Sequence, residues 1–364
     1  MSIIIFIIVL AILVFVHELG HFIAAKKSGI KVSEFGIGFP PRLWSKQKGE
    51  TLYSINAIPF GGYVKIFGEN PDEESVSGPE KARSFVNKPR HIQALVLVAG
   101  VFFNILFAWL LISLGYMVGL PTPESHGGQG IVDNAQLVIT TVSPSSPAFE
   151  AGIKVGDVVR EAVSEGKYAL DEFSPQALSN FIEAHGKDGI TLGINRGAEV
   201  LSVDVLGREG VVPGRVAIGV SMDMIGTLRL PVHLAIYEGA RDTVRLTYAT
   251  IVSLGIFIGQ AFIGQGDLSQ VTGPVGIVSL VGDVTTLGFV YLLSFTAIIS
   301  INLAVINLMP FPALDGGRLL FVAIEAIRRK SISPKIANAL NGVGFALLIL
   351  LMIVVTVHDV FRFF

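Results

Sequence analysis

Apolar and polar positions in this chain segregate over whole elements rather than alternating residue by residue. Residues 2–25 form an apolar run closed by Lys26 and Lys27, and a second run covers residues 92–120. A third covers residues 288–308 and a fourth residues 339–357. Roughly 20 apolar residues cross a bilayer as a helix, so four transmembrane helices are expected. Between the second and third runs the pattern changes to short β-branched segments separated by turn residues. Residues 134–206 are therefore expected to form a compact β-rich module. Residues 243–263 are apolar but carry Arg245, Thr247, Tyr248, Thr250 and Gln260, which predicts an interfacial or partly embedded helix rather than a span.

Composition agrees: 51 % of residues are hydrophobic and only 15 % are charged. The formal net charge of −2 offers no footprint for nucleic acid, and the absence of cysteine excludes disulfides and thiolate metal sites. Lys plus Arg number 11 against 7 acids in residues 26–90, 5 against 1 in residues 318–335, and 10 against 18 in residues 120–285. By the positive-inside rule the first two segments face the cytoplasm, and the third and both termini lie outside. The first run is not expected to be a cleaved signal peptide, because no basic residue precedes it and His17, Glu18 and His21 interrupt it.

Those three residues carry the chemistry. His17-Glu18-Leu19-Gly20-His21 fits H-E-x-x-H, which on a helix projects both imidazoles from one face toward a single ion. Two neutral imidazoles and a carboxylate suit zinc, with a fourth position open to water. Glu18 is placed to act as general base and acid. Three ionisable residues within an apolar run are costly and point to function. The site is expected near the cytoplasmic end of the helix, since His21 lies five residues from Lys26. The best candidate for a third ligand is Asp315, in Asn307-Leu308-Met309-Pro310-Phe311-Pro312-Ala313-Leu314-Asp315-Gly316-Gly317. Prolines and glycines there break the helix at the same depth as His17 and His21.

H-E-L-G-H in a first span, with N-L-M-P-F-P-A-L-D-G-G after a third, resembles the site-2 protease family of intramembrane zinc metalloproteases, most closely its bacterial regulator-of-sigma-E branch. Pro59-Phe60-Gly61-Gly62-Tyr63-Val64 is similar to the family's P-x-G-G-Y-V hairpin. Gly100-Val101-Phe102-Phe103-Asn104 is similar to its G-P-x-x-N motif, with Val101 replacing proline. Gly273-Pro274-Val275-Gly276-Ile277 is similar to S-G-P-x-G-I, with Thr272 replacing serine. The resemblance implies that His17, His21 and Asp315 bind Zn2+ and that Glu18 is catalytic. It also implies that Asn302 and Asn307 hold or polarise substrate, although helix–helix hydrogen bonding explains intramembrane asparagines equally well. Asn104 fits the latter role better. Gly61, Gly62 and Tyr63 fall in a membrane-dipping β-hairpin over residues 51–66, whose edge could pair with an unwound substrate.

Ser146-Pro147-Ala148-Phe149-Glu150-Ala151-Gly152-Ile153-Lys154-Val155-Gly156-Asp157-Val158-Val159 resembles the core of protease-associated PDZ domains, with a helix expected over residues 174–184, strands over 189–205, and residues 215–220 closing or extending the sheet. The expected organisation is thus residues 1–120 (two spans and the hairpin), 121–225 (one extracytoplasmic PDZ domain), 226–287 (an amphipathic membrane-associated connection) and 288–364 (two spans). The resemblance implies as substrates single-pass proteins of the bacterial inner membrane, of the anti-sigma-factor type, whose external part has been trimmed, together with remnant signal peptides. Two other readings are a transporter and an inactive adaptor. The first predicts internal repeats that the hydrophobic pattern lacks, and the second predicts a damaged motif where this one is intact.

Overall fold

A computed structural model describes residues 2–126, 128–197, 199–212, 214–264, 272–330 and 332–363. The chain forms two compact units, one of residues 1–112, 239–285 and 292–364, the other of residues 113–238 and 286–291.

In the first unit, α1 (Ser2–Lys27) buries Val9, Leu13, His17, His21 and Ala25, an i, i+4 stripe that places both histidines on one packed face of the helix. Ile3, Ile4, Ile8 and Ile12 are exposed, as expected of a helix whose other faces meet lipid. The stripe packs on α3 (Arg90–Val118) at an approach only glycine permits: a Cβ on Gly20 would overlap the Ala99 carbonyl and lie 3.0 Å from the Gly100 Cα.

Strands β1 (Val32–Lys48) and β2 (Thr51–Ile66) follow α1. A two-stranded hairpin over residues 51–66 was the expectation; instead both long strands fold back on themselves. Phe35 pairs with Tyr53 on one side and Val64 on the other, while Trp44 to Lys48 pair with Ile55 to Thr51. The result is a four-segment antiparallel sheet whose edges are residues 42–48 and 62–66. Glu34 is its hub. This buried carboxylate accepts from the Tyr63 hydroxyl (2.7 Å), Ser54 Oγ (2.8 Å), Arg42 (2.7 Å) and Lys65 (3.0 Å). Burial alone would raise its pKa, but the hydrogen bonds from Tyr63, Lys65 and Ser54 outweigh that and hold it down at about 2. After the short α2 (Glu73–Ser77), a cluster containing Ala25, Ile30, Ile66, Phe85, Val96 and Val322 joins α1, the sheet, α3 and α9 (Asp315–Arg328).

Helices α6 (Val232–Phe262), α7 (Pro274–Leu287), α8 (Phe289–Leu308) and α10 (Pro334–Phe363) supply the other long apolar segments. Among the described residues five helices are long and apolar enough to cross a membrane, one more than the four expected. The extra one is α6. Residues 243–263 do not begin a helix of their own but continue a 31-residue helix that starts at Val232. At the start of α7, the buried Asp359 of α10 accepts from the backbone N–H groups of Gly273 (3.2 Å) and Gly276 (2.9 Å). This capping explains the Gly273-Pro274-Val275-Gly276 motif, because a carboxylate stabilises exposed N–H groups at a helix N-terminus.

The second unit is β-rich. Strands β3 (Leu120–Pro123), β4 (Asp133–Val142), β5 (Val158–Ser164), β6 (Tyr168–Ala169), β7 (Ile190–Arg196), β8 (Glu199–Val205) and β11 (Val220–Leu228) form one antiparallel sheet in the order β3-β11-β4-β5-β7-β8, with β6 on β5. Strands β9 (Arg208–Val212) and β10 (Arg215–Ala217) pair separately. Helices α4 (Pro147–Glu150) and α5 (Pro175–His185) both begin with Ser-Pro. Ser146 Oγ accepts from Phe149 N and Ser174 Oγ from Ala177 N, with proline at the first helical position in each case. Leu178, Phe181 and Ile182 of α5 cover Leu137, Ile139 and Leu192 of the sheet. Asp157, whose side chain is 1 % exposed, takes three hydrogen bonds, from Lys154 N (2.8 Å), Arg196 Nε (2.8 Å) and an Arg196 terminal nitrogen (2.7 Å).

Candidate metal centre

Three side chains converge where α1, α3 and α9 meet. His17 Nε2 lies 2.9 Å from Asp315 Oδ2 and 3.1 Å from His21 Nε2, and His21 Nε2 lies 3.2 Å from Asp315 Oδ2. Both imidazoles are buried, while the Asp315 carboxylate keeps about a fifth of its surface accessible. Metal–ligand bonds of about 2.0–2.1 Å in a tetrahedron separate ligand atoms by about 3.3 Å, so this triangle matches zinc with its fourth position left open. Among the described residues it is the one group of His, Cys, Asp and Glu of this kind.

The backbone explains why these residues meet. Pro310 and Pro312 end α8, and Ala313 adopts a left-handed conformation (φ 77°) rare outside glycine, turning the chain into α9. Asp315 then opens α9. A Cβ on Gly316 would overlap the Leu308 and Met309 carbonyls, and one on Gly317 would overlap the Phe311 carbonyl. The paired glycines thus let the turn fold back against the helix start. Asn341 of α10 accepts from Ala313 N (3.3 Å), and Arg318, one turn beyond Asp315, pairs with Glu69 and donates to Asn70 (3.2 Å). Gly100 serves from α3: a Cβ there would strike His21 Nε2 and lie 2.8 Å from His17 Cε1. The rings sit edge to face across this glycine, with centroids 4.8 Å apart and planes 81° apart.

Glu18 is half-buried beside the cluster, near Asp315, Glu69 and the backbone N–H of Val64 in the sheet's edge segment. A carboxylate next to the ligands can take up a proton there and release it. The remaining expected residues divide. Gly61 packs against Val14 of α1 (a Cβ would come within 3.0 Å) and Gly62 faces the Gly36 carbonyl, so both allow close approach. The Tyr63 hydroxyl donates to Glu34, its ring stacks on Phe39, and its backbone pairs with Gly36 in the sheet. Asn302 accepts from Thr250 of α6 (3.5 Å), whereas Asn307 has no such partner among the described residues.

Sequence reasoning misses one group at the site and gives another, Asn104, only a helix–helix role. The Val96 carbonyl lies 2.8 Å from His21 Nδ1, and Asn104 Nδ2 lies 3.2 Å from His17 Nδ1. No side-chain type marks the first. The second was signalled by a polar residue inside an apolar helix, four positions after Gly100.

Comparison with known proteins agrees with this geometry. The model of peptidase family M50, the site-2 proteases, matches residues 5–351. A Nostoc sp. protein provisionally named a zinc metalloprotease is 35 % identical over 99 % of this chain and 96 % of its own. The zinc metalloprotease RasP of Geobacillus kaustophilus is 30 % identical over 100 % of this chain and 98 % of its own. The regulator of sigma-W protease RasP of Bacillus subtilis is 29 % identical over 100 % and 99 %. The chain belongs to peptidase family M50 and is a zinc metalloprotease.

Proposed function

We propose that this protein is an intramembrane endopeptidase that cuts the transmembrane segment of single-pass membrane proteins. The observation that carries this reading is the His17, His21 and Asp315 triangle, with both histidines on an apolar helix long enough to cross a membrane and Glu18 beside them. His17 Nε2, His21 Nε2 and Asp315 Oδ2 hold the zinc. Zinc bound there supplies Lewis acidity toward water and toward a scissile carbonyl. Glu18 takes a proton from the attacking water and returns it to the leaving amide nitrogen. Asn307, with no hydrogen-bond partner among the described residues, is better placed to donate to a substrate carbonyl than Asn302.

A helical substrate has its carbonyls hydrogen-bonded and must unwind before it is cut. The edge segment at Gly61, Gly62 and Tyr63 offers backbone groups for an added strand beside Glu18, which supports capture of extended substrate there. The sheet exposes Phe39, Leu43, Trp44 and Ile58, in keeping with a hairpin that dips into lipid. The β-rich unit acts as a single extracytoplasmic PDZ domain that screens substrates by size, so an ectodomain must be trimmed first. The sigma-W regulator among the relatives makes anti-sigma factors the favoured substrates, with remnant signal peptides a second class.

We place the protein in the bacterial inner membrane with four spans and both termini outside. Helix α6 lies partly embedded, because Glu238, Arg241, Asp242 and Arg245 crowd its first half. The chain has no cysteine, so single cysteines at Gly264 and Phe361 report sidedness directly. Both react from outside if α6 does not cross, and a cysteine at Gly264 that reacts only from inside rejects the arrangement.

The decisive experiment presents purified protein with a trimmed single-pass substrate. Cleavage should disappear in metal-stripped protein and return with zinc. A product cut outside the membrane segment would sink the intramembrane reading. An untrimmed folded ectodomain processed at the same rate would sink the size screen.

A further inference from the structure

Both histidines turn Nε2 toward the cluster and Nδ1 toward α3. For His21 the facing group is the Val96 carbonyl at 2.8 Å, which can only accept, so Nδ1 carries the ring proton and Nε2 presents its lone pair. For His17 the facing group is the Asn104 carboxamide at 3.2 Å. Asn104 is fully buried, and its Oδ1 has no hydrogen-bond partner among the described residues. A helix–helix bolt does not account for this side chain, because the bond from α8 goes to the backbone: Ser300 Oγ donates to the Asn104 carbonyl at 2.8 Å.

A histidine that ligates zinc through Nε2 must donate its Nδ1 proton, and a carboxamide meets that need only with its oxygen. A half-turn of the amide exchanges Oδ1 and Nδ2 within the same volume. We infer that Asn104 is a positioning residue for the metal centre, its Oδ1 accepting from His17 Nδ1–H as the Val96 carbonyl accepts from His21. The inference rests on the reading of His17 as a zinc ligand. It also gives one physical meaning to a stripe of α3. Val96, Gly100 and Asn104 follow one another at i, i+4 and i+8, supplying an acceptor, space for two rings and a second acceptor.

The test uses the full chain in lipid nanodiscs and compares wild type, Asn104→Asp, Asn104→Leu and His17→Ala. Zinc affinity is measured by chelator competition and ligand geometry by the visible spectrum of the cobalt-substituted protein. Asn104→Leu keeps the shape but lacks an acceptor and should weaken zinc binding about 10- to 100-fold, with altered cobalt bands. Asn104→Asp keeps an acceptor and should bind within roughly threefold of wild type. Should the leucine variant not fold, Asn104→Ser, too short to reach the ring, takes its place with the same expectation. Wild-type affinity in the acceptor-free variant, or equal weakening in the aspartate and acceptor-free variants, overturns the inference. His17→Ala binding zinc as tightly as wild type would instead overturn the ligand assignment beneath it.

Discussion

Asp157 of the β-rich unit and Asp315 of the helical unit each sit in a polar cluster, and the two clusters are built on opposite terms. In the β-rich unit, Asp157 is satisfied by Lys154 and Arg196, partners 3 and 39 residues away that leave no oxygen idle. In the helical unit, Asp315 faces two imidazoles from 298 and 294 residues upstream, and no cation among the described residues closes the set. Buried polar groups without partners cost free energy, so a fold keeps them where something else is to be bound. The first cluster is a staple, and the second is a socket.

Four substitutions sharpen or break that contrast. The largest effect is expected from Glu18→Gln, which should lower cleavage about 10²- to 10⁴-fold while zinc content stays at wild type. Cleavage assays paired with metal analysis decide it, and loss of zinc would make Glu18 a ligand instead. Arg196→Met strands a 1 % exposed carboxylate and should destabilise the β-rich unit by about 3 kcal/mol. Hydrogen exchange should then rise throughout that unit with no change in zinc affinity.

Gly100→Ala presses a methyl group into both imidazoles and should cost roughly 1–3 kcal/mol of zinc binding, about 5- to 150-fold in affinity. Isothermal titration against a chelator measures it, and an unchanged affinity would mean the rings have room to spare. Glu34→Gln should have the smallest effect, about 1–2 kcal/mol in the sheet, since two of its partners are well exposed. Its pKa lies below the usual glutamate value, at about 2 against 4.5. Its contribution is therefore complete above pH 4.5 and is lost as the pH falls toward 2. The unfolding midpoint should rise with pH across that window in the wild type and change less in the variant.

Much of the candidate centre was legible because its parts carry local signatures. The i, i+4 histidines need only helical spacing, and Asp315 sits where prolines and glycines forbid a continuous helix. The capping Ser-Pro pairs at Ser146 and Ser174 are likewise local. What sequence could not show depends on partners far along the chain. The orienting carbonyl of Val96 belongs to a backbone like any other. The doubling back of β1 and β2 follows from pairing on both sides of Phe35, which the alternation of residues 51–66 fits equally well as a plain hairpin. Helix α6 was cut short because its charged first half lowers its apolarity without interrupting its helical hydrogen bonds.

The wide separation of His17 from Asp315 also sets a timetable. A ribosome adding about 5–20 residues per second needs on the order of 15–60 s to make the 298 residues between them. Throughout that interval the first helix has two imidazoles and no carboxylate to complete the metal triangle. The three-residue cluster is therefore complete only once Asp315 has been made, and a chain that stalls before it lacks the third member of the metal triangle.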